Sequence, residues 1–394
     1  MNYKPIDYYE LQDDRFQMKG ADKGNRFNLI SFIVALVLLL LICFITAISL
    51  ISFAYFGEGD NGTDYSLMER FNTSVTNLQG EALDGIFEMK KLYIIPENDV
   101  VAPTPNDFCY GTASTLEEMQ KVYESAQAYG LVSVSDSLFL SDSDWNGKEV
   151  KYYLDETILA VMWKSKVDGQ TYNFSEICVA HPSQFRRYLI GDTFGSLARD
   201  TTSSISAGLN AVVGMNGDFY GYRSAGIVVY RRKLYRFRPS SLDVCLVDSK
   251  GNLHLLTPDE IGTREEFEKY IENNDILFSL SFGPILIENG QVREKFGYYG
   301  VGEITRNFAR AAFGQVAEKH YLLCTVDGSI SWVDGTTPDR VAIKLGKMGC
   351  VNAYTLDGGQ TATIYYNGKV FNRVGYGNER PISDVIYFAT AIPN

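Results

Sequence analysis

Two stretches of this 394-residue chain share one construction. Tyr321-Leu322-Leu323-Cys324-Thr325-Val326 is an apolar run that breaks into Asp327-Gly328. Val351-Asn352-Ala353-Tyr354-Thr355-Leu356 breaks likewise into Asp357-Gly358-Gly359. A carboxylate at the mouth of a buried strand sits on rigid scaffold. The glycines after it let backbone approach a ligand and turn N–H groups toward an anion. Two carboxylates delivered to one cleft can divide acid–base work; equally, Asp-Gly is an ordinary way to start a turn. A third apolar run, from Val212, ends in Asn216-Gly217-Asp218-Phe219. Phe282-Gly283-Pro284 interrupts a fourth, where a sharp bend is expected because proline donates nothing to a sheet. Arg306 and Arg310 stand at the entrance to a further strand. An arginine fork suits a phosphodiester, and an arginine pair also suits a plain solvated surface.

The elements that must position these groups are short strands and turns, beginning near Tyr152. Tyr153–Lys164 and Thr171–Ala180 read as strands joined at Asp168-Gly169. Further turns are expected at Lys250-Gly251-Asn252, Asn289-Gly290 and Asn367-Gly368, the last a strong hairpin signal. Helices are fewer. Thr115 with Glu118 opens one as a capping box, with Leu116, Met119, Val122, Tyr123 and Ala126 at helical spacing. Thr263 with Glu266 caps a second, and Thr337-Pro338 opens a third that Gly349 ends. Strands with intercalated helices, without regular βαβ alternation, predict an α+β domain: a mixed β-sheet with a few packed helices. That domain is expected over residues 151–394, behind a stalk and membrane-proximal stem over 57–150.

The N-terminal part sets the expected location. No charged residue occurs from Phe27 to Gly57, and Leu29–Phe56 is almost continuously apolar. A bilayer core of ~30 Å needs ~20 helical residues, and a cleavable signal has a shorter apolar core. Residues 27–56 are therefore expected to be an uncleaved transmembrane helix. Residues 1–26 carry Lys4, Arg15, Lys19, Lys23 and Arg26, whereas residues 57–76 carry only Arg70. The positive-inside rule then makes 1–26 a cytoplasmic tail and the remainder extracytoplasmic, a single-pass type II arrangement.

Composition excludes other classes. With 45% hydrophobic and 21% charged residues the chain has material for a large core. The formal net charge of −12 argues against nucleic acid as a partner, since that needs a broad basic face. Five cysteines lie beyond the apolar span, widely spaced and odd in number, so buried thiols are expected, with a single pair left open. His181, His254 and His320 lie far apart in sequence and no metal spacing is visible. Neither a metal nor a cofactor is expected. Sparse cysteines and a short tail fit a Gram-positive envelope.

Taken in order, these segments resemble the phosphodiester glycosidase family. That family includes the uncovering enzyme, N-acetylglucosamine-1-phosphodiester α-N-acetylglucosaminidase, and bacterial envelope proteins. The resemblance runs from about residue 152 to the C-terminus. It rests on Asn216-Gly217-Asp218-Phe219, Gly226, Phe282-Gly283-Pro284, Arg310 with Gly314, Asp327-Gly328, Leu356-Asp357-Gly358-Gly359 and Arg380-Pro381-Ile382-Ser383-Asp384. It implies hydrolysis of the bond between a sugar's anomeric carbon and a phosphodiester, here in envelope glycan. It also implies roles. Asp357 is the first choice for the catalytic carboxylate and Asp327 the second. Arg310 would hold phosphate with N–H groups of Gly358 and Gly359, and Asn216, Asp218, Gly283 and Arg380 would shape the substrate pocket. The chain departs from the family where Ser329 replaces an arginine, where Gln360-Thr361-Ala362 replaces Gly-Ser-Ser, and where Ala309 and Ala311 flank Arg310. Those departures keep open a second expectation, a family relative that binds glycan or a protein partner without turnover.

Overall fold

The computed structural model describes residues 93–148, 150–293, 296, 304–328 and 334–393. The expected tail (1–26), transmembrane helix (27–56) and first part of the stalk lie outside the described residues, as does Ser329. Among the described residues no helix is long and apolar enough to cross a membrane.

Strand alternation decides the layering. In Ile158–Val167, Gln170–Val179, Arg310–Ala317, His320–Val326 and Asn352–Leu356, successive side chains point to opposite faces, and both faces are apolar. These strands form the middle of a nine-stranded sheet. Its inner face, with Met162, Ile177, Phe313, Leu323 and Tyr354, packs against two five-stranded sheets through one continuous core. Its outer face, with Trp163, Phe174, Leu322 and Ala353, is covered by the helices Leu116–Ala128 and Pro338–Lys347. Arg264–Asn273 covers the five-stranded sheet that contains Gly226–Tyr230 and Val244–Asp248. Thr202–Gly208 covers the other, which contains Val213–Asn216 and Asp384–Phe388. The result is a sheet-dominated domain with few helices, as expected. Every strand pairing among the described residues is antiparallel, which refines the expected mixed sheet.

The capping boxes at Thr115 and Thr263 form as read. Asp168-Gly169, Asn289-Gly290 and Asn367-Gly368 all take left-handed φ values, the backbone of two-residue hairpin turns. The expected single strand Tyr153–Lys164 is instead two, Val150–Leu154 and Ile158–Val167. Asp155 breaks it, because its carboxylate accepts from the backbone N–H of Thr157 at 2.7 Å and of Ile158 at 3.0 Å. Residues 93–150 are continuous with this domain: Tyr110–Ala113 pairs with Val150–Leu154 as the edge of the large sheet. The Leu116–Ala128 helix is pinned by Tyr123, whose hydroxyl donates to buried Glu176 at 2.6 Å. All five described cysteines are free thiols.

Candidate active site

Register brings the candidate residues to one end of the nine-stranded sheet. Arg310 is opposite Val326 and Ala311 is opposite Leu356. Asp327 and Asp357 therefore leave their strands on either side of Arg310. With neighbouring strands ~4.8 Å apart, their backbones stand roughly 10 Å apart.

Asp357 is the better poised carboxylate. Its Oδ2 accepts from Arg380 Nη2 at 2.6 Å, and its side chain is 15% exposed. Burial pushes its pKa above the ordinary carboxylate value; Arg380 opposes this most, then the Thr361 hydroxyl, Arg223 and the Gly358 N–H. The turn is clamped from behind. Asn216 Nδ2 donates to the Asp357 carbonyl at 2.8 Å, and Asn216 Oδ1 accepts from the Thr363 N–H at 3.2 Å. Gly358 is required here, since a Cβ would lie 2.6 Å from the Ala309 carbonyl oxygen.

Asp327 is more enclosed. Its Oδ1 accepts from Asn173 Nδ2 at 2.7 Å and from the Arg373 N–H at 3.1 Å. Burial raises its pKa too, against those two hydrogen bonds and the charges of Lys164 and Arg373. Asp327 thus ties down the start of the 373–380 segment that carries Arg380.

Other expected residues have different employment. Arg310 donates through Nε to the Thr336 carbonyl at 3.0 Å and through Nη2 to the Arg306 carbonyl at 2.8 Å. Burial pushes its pKa down to about 10, with Asp339 acting the other way. The Gly359 N–H is taken by the Ala309 carbonyl at 2.8 Å. Asp218 is fully buried, its carboxylate accepting from Arg187 Nη2 at 3.0 Å, Tyr220 N–H at 2.9 Å and Ser281 N–H at 2.6 Å. Arg187 also bridges to Asp384 at 2.7 Å, so the two acids share one buried guanidinium beneath the site. Burial and the nearness of Asp218 raise the pKa of Asp384, while Arg187 pulls it back. Gly283 has φ +83 and precedes the cis bond to Pro284, with Phe282 N–H donating to the Tyr354 hydroxyl at 2.7 Å.

The residue that sequence reasoning passed over is Arg223. Its side chain is 11% exposed, and Nη2 donates to the Asp218 carbonyl at 3.0 Å. Its guanidinium lies 5.8 Å from the centre of the Phe282 ring. Arg223 Nε and Nη1 and Arg380 Nε are buried with no hydrogen-bond partner among the described residues. Buried charged donors are ordinarily paired, so donors left open beside Asp357 form a seat for an anion. No spacing rule points to an arginine five residues after Asp218. The only signal was its place in the same polar, glycine-rich segment.

Two other features compete for attention. A cavity of about 300 Å³ lies beneath residues 94–100, but none of Asp327, Asp357, Arg223 or Arg380 lines it. Glu176, Cys178 and His320, which show no spacing in sequence, come within 4.8 Å of one another. Glu176 is already occupied by Tyr123, His320 and the N–H groups of Leu138 and Phe139, so it anchors the fold.

The model of the phosphodiester glycosidase family matches residues 209–389. The match takes in a little under half of the chain, the part that carries most of the site residues. The matched segment contains Asn216, Arg223, Arg310, Asp327, Asp357 and Arg380; Arg187 lies outside it. The chain is also similar to the SPbeta prophage-derived uncharacterized protein YomE of Bacillus subtilis (strain 168). The two are 25% identical over 201 residues, 49% of this chain and 30% of that protein. The chain thus matches less than a third of that relative's length. Among solved structures it is similar to the zebrafish N-acetylglucosamine-1-phosphodiester alpha-N-acetylglucosaminidase catalytic domain auto-inhibited by pro-peptide. That match has TM-score 0.46 and 18% identity, covering 59% of this chain and 83% of that one. A hypothetical protein from Synechocystis matches with TM-score 0.44 and 13% identity, covering 60% and 63%.

Proposed function

We propose that this protein is a membrane-anchored hydrolase that cleaves the glycosyl–phosphate bond of a sugar-1-phosphodiester in bacterial cell-envelope glycan. Residues 27–56 would be its single span, with the N-terminus cytoplasmic and the catalytic domain outside. The observation that carries the reading is the half-buried Asp357–Arg380 pair, with Arg380 Nε and the buried, open donors of Arg223 available to a ligand. A phosphodiester is already a good leaving group, so the demanding work is stabilising an oxocarbenium-like centre and activating water. In this reading Asp357 does both. Burial makes it a stronger base than an exposed carboxylate, and Arg380 keeps it from being protonated too readily. Water attacks the anomeric carbon and gives its proton to Asp357. The carbon–oxygen bond to phosphate breaks, and a phosphomonoester leaves.

Arg223, with Arg380 Nε, takes the anion-holding role expected of Arg310. Arg310 instead braces the backbone at Arg306 and Thr336. Asn216 is a positioning residue for Asp357, and Asp327 is one for the segment carrying Arg380.

The test is incubation of the full chain, purified in detergent, with a panel of sugar-1-phosphodiesters, beside Asp357→Asn. Free sugar and phosphomonoester, lost in the variant, are expected. Sugar-1-phosphate would mean cleavage on the other side of phosphorus and would overturn the mechanism. Binding without product across the panel would favour the non-catalytic relative, the reading that Ser329 and Gln360-Thr361-Ala362 support.

A further inference from the structure

Two aromatic residues near Asp357 sit in backbone conformations that bulky side chains avoid. Tyr376 has φ +63 and Phe219 has φ +73. Left-handed backbone crowds Cβ against the following carbonyl, and such outliers persist where something else depends on them. Phe219 has a visible use. Its ring stacks on Tyr222 with centroids 4.9 Å apart, and the Arg380 guanidinium lies 5.1 Å and 5.6 Å from the two ring centres. Tyr222 is fixed by its hydroxyl, which donates to the Pro381 carbonyl at 2.6 Å, yet it remains 43% exposed.

Tyr376 has no such use within the fold. It is 56% exposed, and it makes no ring contact or hydrogen bond through its side chain among the described residues. Gly375 and Gly377 flank it, and the Gly377 N–H closes the turn on the Val374 carbonyl at 3.1 Å. Gly375 lies directly on the Asp357 loop, since a Cβ there would stand 3.1 Å from the Gly359 carbonyl oxygen. The chain therefore accepts strain to hold one bare aromatic ring, between two glycines, at the rim of the site.

We infer that Tyr376 is a platform for a carbohydrate ring of the substrate beyond the one being released. The apolar C–H face of a pyranose covers an aromatic ring well, and the strained turn fixes that ring in advance, which lowers the ordering cost of binding. Resting on the proposed glycosidase reading, this assigns the substrate class as a glycan whose sugars are joined through phosphodiesters. A small sugar-1-phosphodiester would leave the platform unused.

The experiment compares the full chain with Tyr376→Gly and Tyr376→Phe on two substrates: a poly(N-acetylglucosamine 1-phosphate) chain and the methyl phosphodiester of N-acetylglucosamine 1-phosphate. Tyr376→Gly should lower kcat/KM on the polymer by roughly 5–10-fold, the loss of one modest contact. It should leave the methyl compound unchanged, and Tyr376→Phe should retain both activities. Equal losses on the two substrates, or no loss on the polymer, would overturn the platform. If the wild type hydrolyses neither, the glycosidase reading fails by itself. Calorimetric titration of the polymer then tests the platform: weaker binding by Tyr376→Gly sustains it and equal binding ends it.

Discussion

Replacing Arg223 tests the chemistry most directly, because the structure separates what it does for the fold from what it offers a ligand. For the fold it donates one hydrogen bond, from Nη2 to the Asp218 carbonyl at 3.0 Å. The Asp218 carboxylate lies 3.9 Å away and is already satisfied by Arg187, Tyr220 and Ser281. Arg223→Met therefore costs stability about 1 kcal/mol, the usual worth of one such bond. For the ligand it offers Nε and Nη1, both buried and open. A hydrogen bond to a charged group contributes ~1.5–3 kcal/mol, so losing two should lower kcat/KM by about 10²–10⁴-fold. Lysine keeps the charge as a point without the fork; Arg223→Lys should lose one bond and about 10–10²-fold. The assay is release of free sugar from a sugar-1-phosphodiester, with a urea melt of each variant alongside. Arg223→Met within about threefold of wild type would refute the assignment of the anion seat.

Asp357→Asn should abolish hydrolysis and change stability in a pH-dependent way. Burial raises the native pKa above the unfolded one, so the ionised carboxylate costs stability above that window. The melting temperature of Asp357→Asn relative to wild type should thus rise from acid to neutral pH; a flat difference would refute the burial argument. Arg187→Met leaves Asp218 and Asp384 facing each other without their shared cation, and removing one partner of a buried pair costs ~3–5 kcal/mol. Denaturant unfolding should show that loss, and a change below ~1 kcal/mol would count against it. Asn216→Ala frees the Asp357 carbonyl and the Thr363 N–H, so kcat should fall with substrate binding largely retained, as kinetic separation of kcat from KM will reveal.

What the sequence determined by itself is local. The capping boxes at Thr115 and Thr263 and the hairpin turns at Asp168-Gly169 and Asn367-Gly368 depend on atoms a few residues apart, and they form as read. The Asp-Gly breaks at the ends of apolar runs also mark true strand ends, because alternation and its loss are written residue by residue. The family likewise was legible, from segments in fixed order.

Function within the site was decided elsewhere. Arg310 and Arg223 are both arginines beside glycine-rich turns, and no spacing separates them. Only the packed structure gives Arg310 two backbone carbonyls and leaves two Arg223 nitrogens open. Asp218 and Asp384 are 166 positions apart, yet one guanidinium serves both. Glu176, Cys178 and His320 meet only because His320 pairs with Cys178 across two strands. A hydrogen-bond partner is set by which strands lie side by side, and pairing over such separations depends on the whole core. Sequence therefore names the residue types that can do the chemistry, and tertiary packing decides which of them remain free to do it.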